Sequence, residues 1–218
     1  MTLTQEINTL RQQIQAKMPE ETKAVMDQAM EDLVNSGVAD QSLKVGDKAP
    51  NFRLPNAVGK TVELQDLLSR NPVVISFYRG GWCPYCNLEL RTLQQSLPEI
   101  KELGATLVAI SPQTPDNSLS TVEKNDLEFE VLSDVGNQVA KDFGLVFVLP
   151  KELRPIYQDF GIDLPAHNGE DTFELPIPAT YVIAQDGTII HAFVEVDYTK
   201  RLDPKEIIAA LKQRSIAA

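Results

Sequence analysis

The sequence predicts an α/β protein: a central mixed sheet with helices on both faces, and a helical extension at the N-terminus. Three observations predict it. From residue 72 onward, short β-branched runs alternate with stretches of helical spacing, the pattern of helices packed on both faces of a mainly parallel sheet. The runs from Val73 to Tyr78 and from Thr106 to Ser111 are nearly continuous in apolar residues, as strands buried on both faces are. Asp186-Gly187 lies between two further runs, Ala179 to Ala184 and Thr188 to Val196, and makes them an antiparallel hairpin at one side.

Taken in order, Leu3, Ile7, Leu10 and Ile14 share one helix face. Pro19 fits a first helical turn with Glu20 and Glu21 beside it, and Met26, Ala29, Met30 and Leu33 give a second apolar stripe that Gly37 ends. Residues 1–40 are therefore a helical extension and residues 41–218 the main domain. The two helices are expected to cover that domain; contact with a second copy of the chain, a homodimer, is the competing use. Asn51 to Pro55 is extended, Thr61 to Leu64 alternates as a strand does, and Asp66 to Leu68 is a helical turn. After Tyr78 comes Arg79-Gly80-Gly81, then helical spacing from Pro84 to Gly104, where Pro98 predicts a kink or break. Ser118 to Asn125 reads as a helix, Phe129 to Asp134 as a strand, and Val135 to Phe143 as a helix closed by Gly144. Residues 146–176 carry four prolines and read as a long irregular loop, a kind that is usually functional. Pro204 to Arg214 closes the chain as a helix.

The 218 residues are 43% apolar and 23% charged, the make-up of one ordinary globular domain with a small appendage. Lys and Arg number 20 against 31 Asp and Glu, a net charge of -11. Nucleic acids and anionic membranes reward cationic surfaces, so neither is an expected partner. No apolar run approaches the roughly 18 residues of a membrane span. The opening MTLTQEINTLRQQIQ has neither a basic nor an apolar signal region, which predicts a cytoplasmic protein.

The chain has two cysteines, Cys83 and Cys86, in Trp82-Cys83-Pro84-Tyr85-Cys86. A bridge between them closes too small a loop to staple the fold. Their spacing at the start of a helix puts both sulfurs on one face, within bridging reach. Unpaired N–H groups and the positive end of the helix dipole then favour a thiolate. Such settings bring a cysteine's pKa from about 8.5 down to roughly 3.5–7.5. Pro84 suits the first helical turn because it has no N–H to orphan, and Gly80-Gly81 permits a sharp exit from the strand. Inert burial and half of a zinc site are the competing readings; His167 and His191 lack the close spacing of a zinc pair. No metal and no cofactor is expected. A redox-active pair is the reading that uses the position of the motif.

Gly46-Asp47-Lys48-Ala49-Pro50-Asn51-Phe52-Arg53-Leu54, followed by Gly59-Lys60-Thr61-Val62, resembles the start of the alkyl hydroperoxide reductase/thiol-specific antioxidant family, the peroxiredoxins. Val74 to Tyr78 resembles the strand before their active site, and the resemblance covers roughly residues 44–212. The family continues with Pro-x-x-x-Thr-x-x-Cys, which implies that Cys86 is the peroxidatic cysteine and that Glu89 matches a family glutamate. The family's proline, threonine and later arginine fall on Arg79, Cys83 and Pro178. There the chain resembles a thioredoxin instead: Trp82-Cys83-x-x-Cys86 is a thioredoxin-style motif, and Ile177-Pro178-Ala179-Thr180 resembles the cis-proline segment that faces it.

The resemblance implies a thioredoxin-like fold and a thiol-dependent oxidoreductase that reduces hydroperoxides through a Cys83/Cys86 dithiol–disulfide cycle. Thioredoxin logic makes Cys83 the exposed nucleophile; peroxiredoxin logic makes Cys86 the attacking sulfur and Cys83 the one that captures its sulfenic acid. The implied partners are a hydroperoxide or disulfide substrate and thioredoxin or another thiol as reductant. A disulfide reductase without peroxidase activity, and a redox-sensing or binding module, are the alternatives. With the family's threonine and arginine absent, Arg79 is the first candidate for a stand-in cation and Arg91 the second. Tyr78 and Trp82 are expected to pack around the site.

Overall fold

The computed structural model describes residues 2–217, with side chains through residue 213. Two helices come first, α1 (Leu3–Lys17) and α2 (Glu20–Asn35). Thr2 and Gln5 form a reciprocal capping box at the start of α1. Pro19 caps α2 from just outside it, with Glu20 and Glu21 on the favourable end of the helix dipole. Gly37, at φ 70°, turns the chain out into a 3-10 turn over Val38–Gln41.

The main domain runs β1 (Arg53–Pro55), β2 (Thr61–Glu63), α3 (Leu64–Leu68), β3 (Val73–Phe77), α4 (Pro84–Glu102), β4 (Thr106–Ser111), α5 (Pro115–Asn125), β5 (Glu130–Ser133) and α6 (Gln138–Asp142). It continues with β6 (Val146–Val148), α7 (Leu153–Asp159), α8 (Leu164–Asn168), β7 (Glu174–Pro176), β8 (Ala179–Ile183), β9 (Ile189–Val194) and α9 (Pro204–Ala217). Five strands form the central sheet in the order β5-β4-β3-β8-β9. β3, β4 and β5 are parallel, and the β8–β9 hairpin joins β3 antiparallel, Val73 lying opposite both Thr106 and Ile183. The predicted mixed sheet is thus the observed one.

Alternate side chains of β3 go to opposite faces, as the two-residue period of a strand requires. Val74 joins Leu90, Leu93, Leu97 and Ile100 of α4 and Ile207 and Leu211 of α9 in one core. Val73, Ile75 and Phe77 enter the other, with Leu64, Leu68, Val139 and Phe143. Leu3 and Ile7 of α1 are buried in the first core, against α4. Burying such side chains contributes about 1.5–3 kcal/mol each, which is what holds a helix of marginal intrinsic stability in place. The α2 stripe works similarly: Val25, Met26 and Ala29 pack on a third cluster formed by Leu149, Leu153, Tyr157, Leu164 and Leu175.

Two expectations are corrected here. Residues 146–176 are not an irregular loop but hold α7, α8 and the antiparallel pair β6–β7. Their prolines sit at element edges, Pro165 in the first turn of α8 and Pro176 ending β7, where a missing N–H costs little. Pro98 does not break its helix; α4 runs through it. Pro98 is exposed, while Leu97 and Ile100 beside it anchor the turn in the core. Among the described residues no helix is long and apolar enough to cross a membrane.

Candidate active site

β3 delivers the chain to the site, and a glycine turn bends it into α4. Gly80 has φ 153°, and its Cα lies so close to the Trp82 indole that no side chain fits. Cys83 closes the turn by donating from its N–H to Gly80 O at 3.1 Å. Its carbonyl then accepts the first α4 bond, from Asn87 N at 3.1 Å. Cys83 is thus the N-cap of α4, with Pro84 in the first turn. A polar network fixes the turn from beneath. Gly81 N donates to Gln113 Oε1 at 2.7 Å, Asn87 Nδ2 donates to Gly81 O at 2.8 Å, and Asn125 Nδ2 donates to Asn87 Oδ1 at 3.0 Å.

Cys83 and Cys86 are both free thiols and both buried. They are not equivalent. The Arg201 guanidinium donates from Nη2 to Cys86 Sγ at 3.1 Å and from Nε to Glu89 Oε2 at 2.5 Å. Its Nη1 donates to the carbonyls of Tyr198 and Lys200, so every nitrogen of the buried fork is used. The loop that carries it is wound by Asp197, whose carboxylate accepts from Thr199 N at 3.0 Å and Thr199 Oγ1 at 2.7 Å.

Burial pushes the Cys86 thiol up. It is outweighed by the hydrogen bond from the Cys83 thiol, the Arg201 charge, the Arg79 backbone N–H and the Arg79 charge, which together hold Cys86 well below the usual thiol range. Cys83 goes the other way: burial, its role as donor to Cys86 and the charge on Cys86 raise it, against Arg79 and Arg201. The two sulfurs are thus pushed in opposite directions, Cys86 down and Cys83 up. Glu89 is raised to about 7 by burial, with the Cys86 charge adding to the effect and Arg201 opposing it.

Arg79 is buried, at 2% exposure. Its guanidinium lies over the rings of Trp82, Tyr157 and Tyr198, at 5.1, 5.7 and 4.4 Å from their centroids, and donates to the Tyr157 hydroxyl. Its Nε has no hydrogen-bond partner, and among the described residues no carboxylate lies within ion-pair distance of it. Over Cys83 opens a cavity of about 160 Å³, with Arg79, Trp82, Cys83, Pro84 and Tyr85 forming its floor. α1 and α2 supply one wall through Ile14, Met26 and Met30, and Tyr157, Phe160 and Tyr198 supply another. Cys83 lines it and Cys86 does not.

Trp82, Cys83 and Pro84 line the cavity together with Arg79, Cys86 lies behind in the core, and Tyr78 is fully buried. Pro178 is buried but does not line the cavity, and the expected cis bond is absent: the Ile177–Pro178 peptide is trans. Pro178 O instead accepts from Glu195 N at the end of the hairpin, so the segment serves the sheet. Arg91 donates to Asn125 Oδ1 at 3.0 Å and supports the turn, away from the sulfurs. The cation that touches a sulfur is Arg201, which sequence reasoning missed; it lies in a loop with no periodicity to mark it. Cys83, the nucleophile of thioredoxin logic, is 1% exposed, and burial pushes its thiol up. Among the described residues no group of His, Cys, Asp and Glu could hold a metal, and His167 and His191 lie apart from the cysteines.

A parallel–antiparallel sheet with a dithiol capping the helix after its central strand defines a dithiol protein of the thioredoxin-like fold. Residues 45–192 match the AhpC/TSA family, and the chain belongs to that family. It is 36% identical over 104 residues to "Putative peroxiredoxin bcp" of Buchnera aphidicola subsp. Schizaphis graminum, covering 48% of this chain and 65% of that relative's length. It is 25% identical over 152 residues to "Thiol-disulfide oxidoreductase ResA" of Bacillus cereus, covering 69% of this chain and 70% of that relative. The crystal structure of peroxidoxin BcpB from Mycobacterium tuberculosis superposes with a TM-score of 0.62 at 24% identity, over 78% of this chain and 97% of that one. That likeness is one of fold.

Proposed function

We propose that the chain is a thiol-dependent peroxidase in which Cys86 attacks a hydroperoxide and Cys83 resolves the product. The observation that carries this reading is the Arg201 Nη2 to Cys86 Sγ contact of 3.1 Å. It supports a thiolate at Cys86, and the thiolate is the nucleophilic form. A small hydroperoxide passes Cys83 and meets the Cys86 thiolate, which attacks the terminal oxygen. The O–O bond breaks, Cys86 becomes a sulfenic acid, and the leaving alkoxide or hydroxide takes up a proton to give an alcohol or water. The Cys83 thiol then attacks the Cys86 sulfur, forming the Cys83–Cys86 disulfide and releasing water. Two equivalents of an external thiol reduce that disulfide. Arg201 is placed to hold the thiolate, Glu89 to hold Arg201, and Arg79 to add positive charge beside both sulfurs. Trp82 and Pro84 shape the floor on which the peroxide is received.

One observation favours disulfide exchange as a second reading: Cys83, not Cys86, is the sulfur on the cavity. The similarity to ResA points the same way. Cysteine variants separate the two. Under the peroxidase reading, Cys83→Ser treated with peroxide and trapped with dimedone carries one sulfenic acid adduct at Cys86 by mass spectrometry. Cys86→Ser forms none and consumes no peroxide. An adduct on Cys83 in the Cys86→Ser protein would reverse the assignment.

A further inference from the structure

The cavity over Cys83 holds an unpaired buried charge. Of the cations on its walls, Arg11 faces Asp197 at 4.0 Å, and Lys23 is held by Glu20 at 2.5 Å. Asp27, the remaining carboxylate, is on an exposed position of α2, where water screens it. Among the described residues Arg79 meets the faces of Trp82, Tyr157 and Tyr198 and the Tyr157 hydroxyl, forms no ion pair, and leaves Nε unpartnered. A buried guanidinium without an ion-pair partner is costly; in the reduced protein Cys86, which the Arg79 charge helps to hold low, is the negative group that acts on it, since Glu89 is engaged with Arg201. Forming the Cys83–Cys86 disulfide removes that negative charge. The oxidised site is then left with an uncompensated guanidinium beside the cavity.

The sulfur that the cavity presents is also the one a reductant must strike. Attack on Cys83 expels Cys86, the better leaving sulfur because Arg201 holds it as a thiolate. Apolar wall residues Ile14, Met26, Met30 and Phe160 surround the remaining volume. The geometry points to this cavity as the seat of the reductant, a low-molecular-weight thiol bearing a carboxylate, with the carboxylate on Arg79 and the sulfur on Cys83. This rests on the dithiol cycle proposed above and names its electron donor by chemical class. The thiolate of the first donor bonds to Cys83 sulfur as the Cys83–Cys86 bond breaks and Cys86 leaves as thiolate. A second donor thiolate attacks the donor sulfur of that mixed disulfide, releasing the donor disulfide and Cys83, which takes up a proton. Two thiols are oxidised and one protein disulfide is reduced.

The test starts from full-length protein oxidised with diamide, so that the disulfide exists whether or not peroxide makes it. Its reduction is followed by Trp82 fluorescence with mercaptopropionate (anionic), mercaptoethanol (neutral) and cysteamine (cationic), each rate expressed per thiolate. The expected result is saturable reduction by mercaptopropionate, about tenfold faster than by mercaptoethanol, since close charge pairs in desolvated sites are worth that much or more. Cysteamine is the slowest. In Arg79→Met the ratio of anionic to neutral rates falls to about one, the loss of that same pairing. Butyrate, which has no sulfur, competes with mercaptopropionate and binds the disulfide form more tightly than the dithiol form; this decides the matter should Arg79→Met fail to fold. A charge-independent rate in the wild type, or a preference that survives Arg79→Met, overturns the proposal. Equal butyrate affinity in both redox forms would assign the carboxylate to the peroxide substrate and overturn it too. Failure of peroxide to oxidise the dithiol sinks the peroxidase reading alone and leaves this measurement intact.

Discussion

Arg201 and Cys86 stand 115 positions apart in the chain, yet the guanidinium Nη2 lies 3.1 Å from the sulfur inside a fully buried site. Because the same guanidinium is fixed by Glu89 at 2.5 Å and by two backbone carbonyls, its position does not depend on the state of the sulfur. It is a preorganised counter-charge, which costs no rearrangement when a negative charge appears.

Replacing Arg201 with Met is expected to slow alkylation of Cys86 and peroxide consumption at neutral pH by about a hundredfold, the loss typical of one preorganised donor. The sign of the pH dependence follows from the lowered Cys86. In the wild type the thiolate persists across neutral pH and is lost only as the pH falls through that lowered value. In Arg201→Met the loss begins at higher pH. Arg201→Lys, which keeps charge without the fork, falls between. Thiolate absorbance measured against pH checks all three, and coincident profiles would show that Arg201 only packs.

Gly80→Ala places a methyl group against the Trp82 indole at a backbone φ of 153°. The substitution is expected to cost about 1–3 kcal/mol through strain and overpacking, and to shift Trp82 emission because the ring must move. Urea denaturation with fluorescence detection reads both effects in one experiment, and the chain has a single tryptophan, so the signal has one source.

Ile7→Ala removes a side chain that is 4% exposed from the contact of α1 with α4. A loss of about 2–4 kcal/mol follows from the vacated volume if α1 stays docked. Since Ile14 of the same helix lines the cavity, local release of α1 also uncovers Cys83. Reaction with a bulky aromatic disulfide reagent should therefore quicken in Ile7→Ala under conditions where the rest of the protein remains folded. An unchanged rate would mean that α1 does not shield the site.

Much of this architecture could be read from residue order. The runs at Val73, Thr106 and Ala179 are strands because nearly every side chain in them is apolar or β-branched, and the Asp186-Gly187 turn fixes the hairpin. Trp82-Cys83-Pro84-Tyr85-Cys86 was legible as a redox pair because helix periodicity and N-terminal chemistry are local. What escaped is what distance in the chain conceals. Arg201 follows β9 in a loop shaped by Asp197 and Thr199, and no pattern of apolar residues announces that it will fold back onto α4. The burial of Arg79 in a cage of Trp82, Tyr157 and Tyr198 joins three separate segments, so its sequence neighbours could not reveal it. Pro98 does not end its helix, because the local cost of a proline is outweighed there by the packing of Leu97 and Ile100 in the core. Pro178 lies next to β8, and its trans peptide shows that a matched tetrapeptide does not carry its backbone geometry with it.

The place of Cys83 on the cavity wall, with Cys86 off it, also bears on damage. A sulfenic acid on Cys86 has two competing fates: capture by a neighbouring thiol, or a second encounter with oxidant that carries it to the inert sulfinic state. On the cycle proposed above, the second oxidant molecule enters by the cavity that Cys83, the thiol that ends the first fate, already lines. The cycle proposed above therefore predicts that Cys86 resists hyperoxidation while Cys83 is present and loses that resistance in Cys83→Ser, a difference that mass spectrometry of the sulfinic form reads.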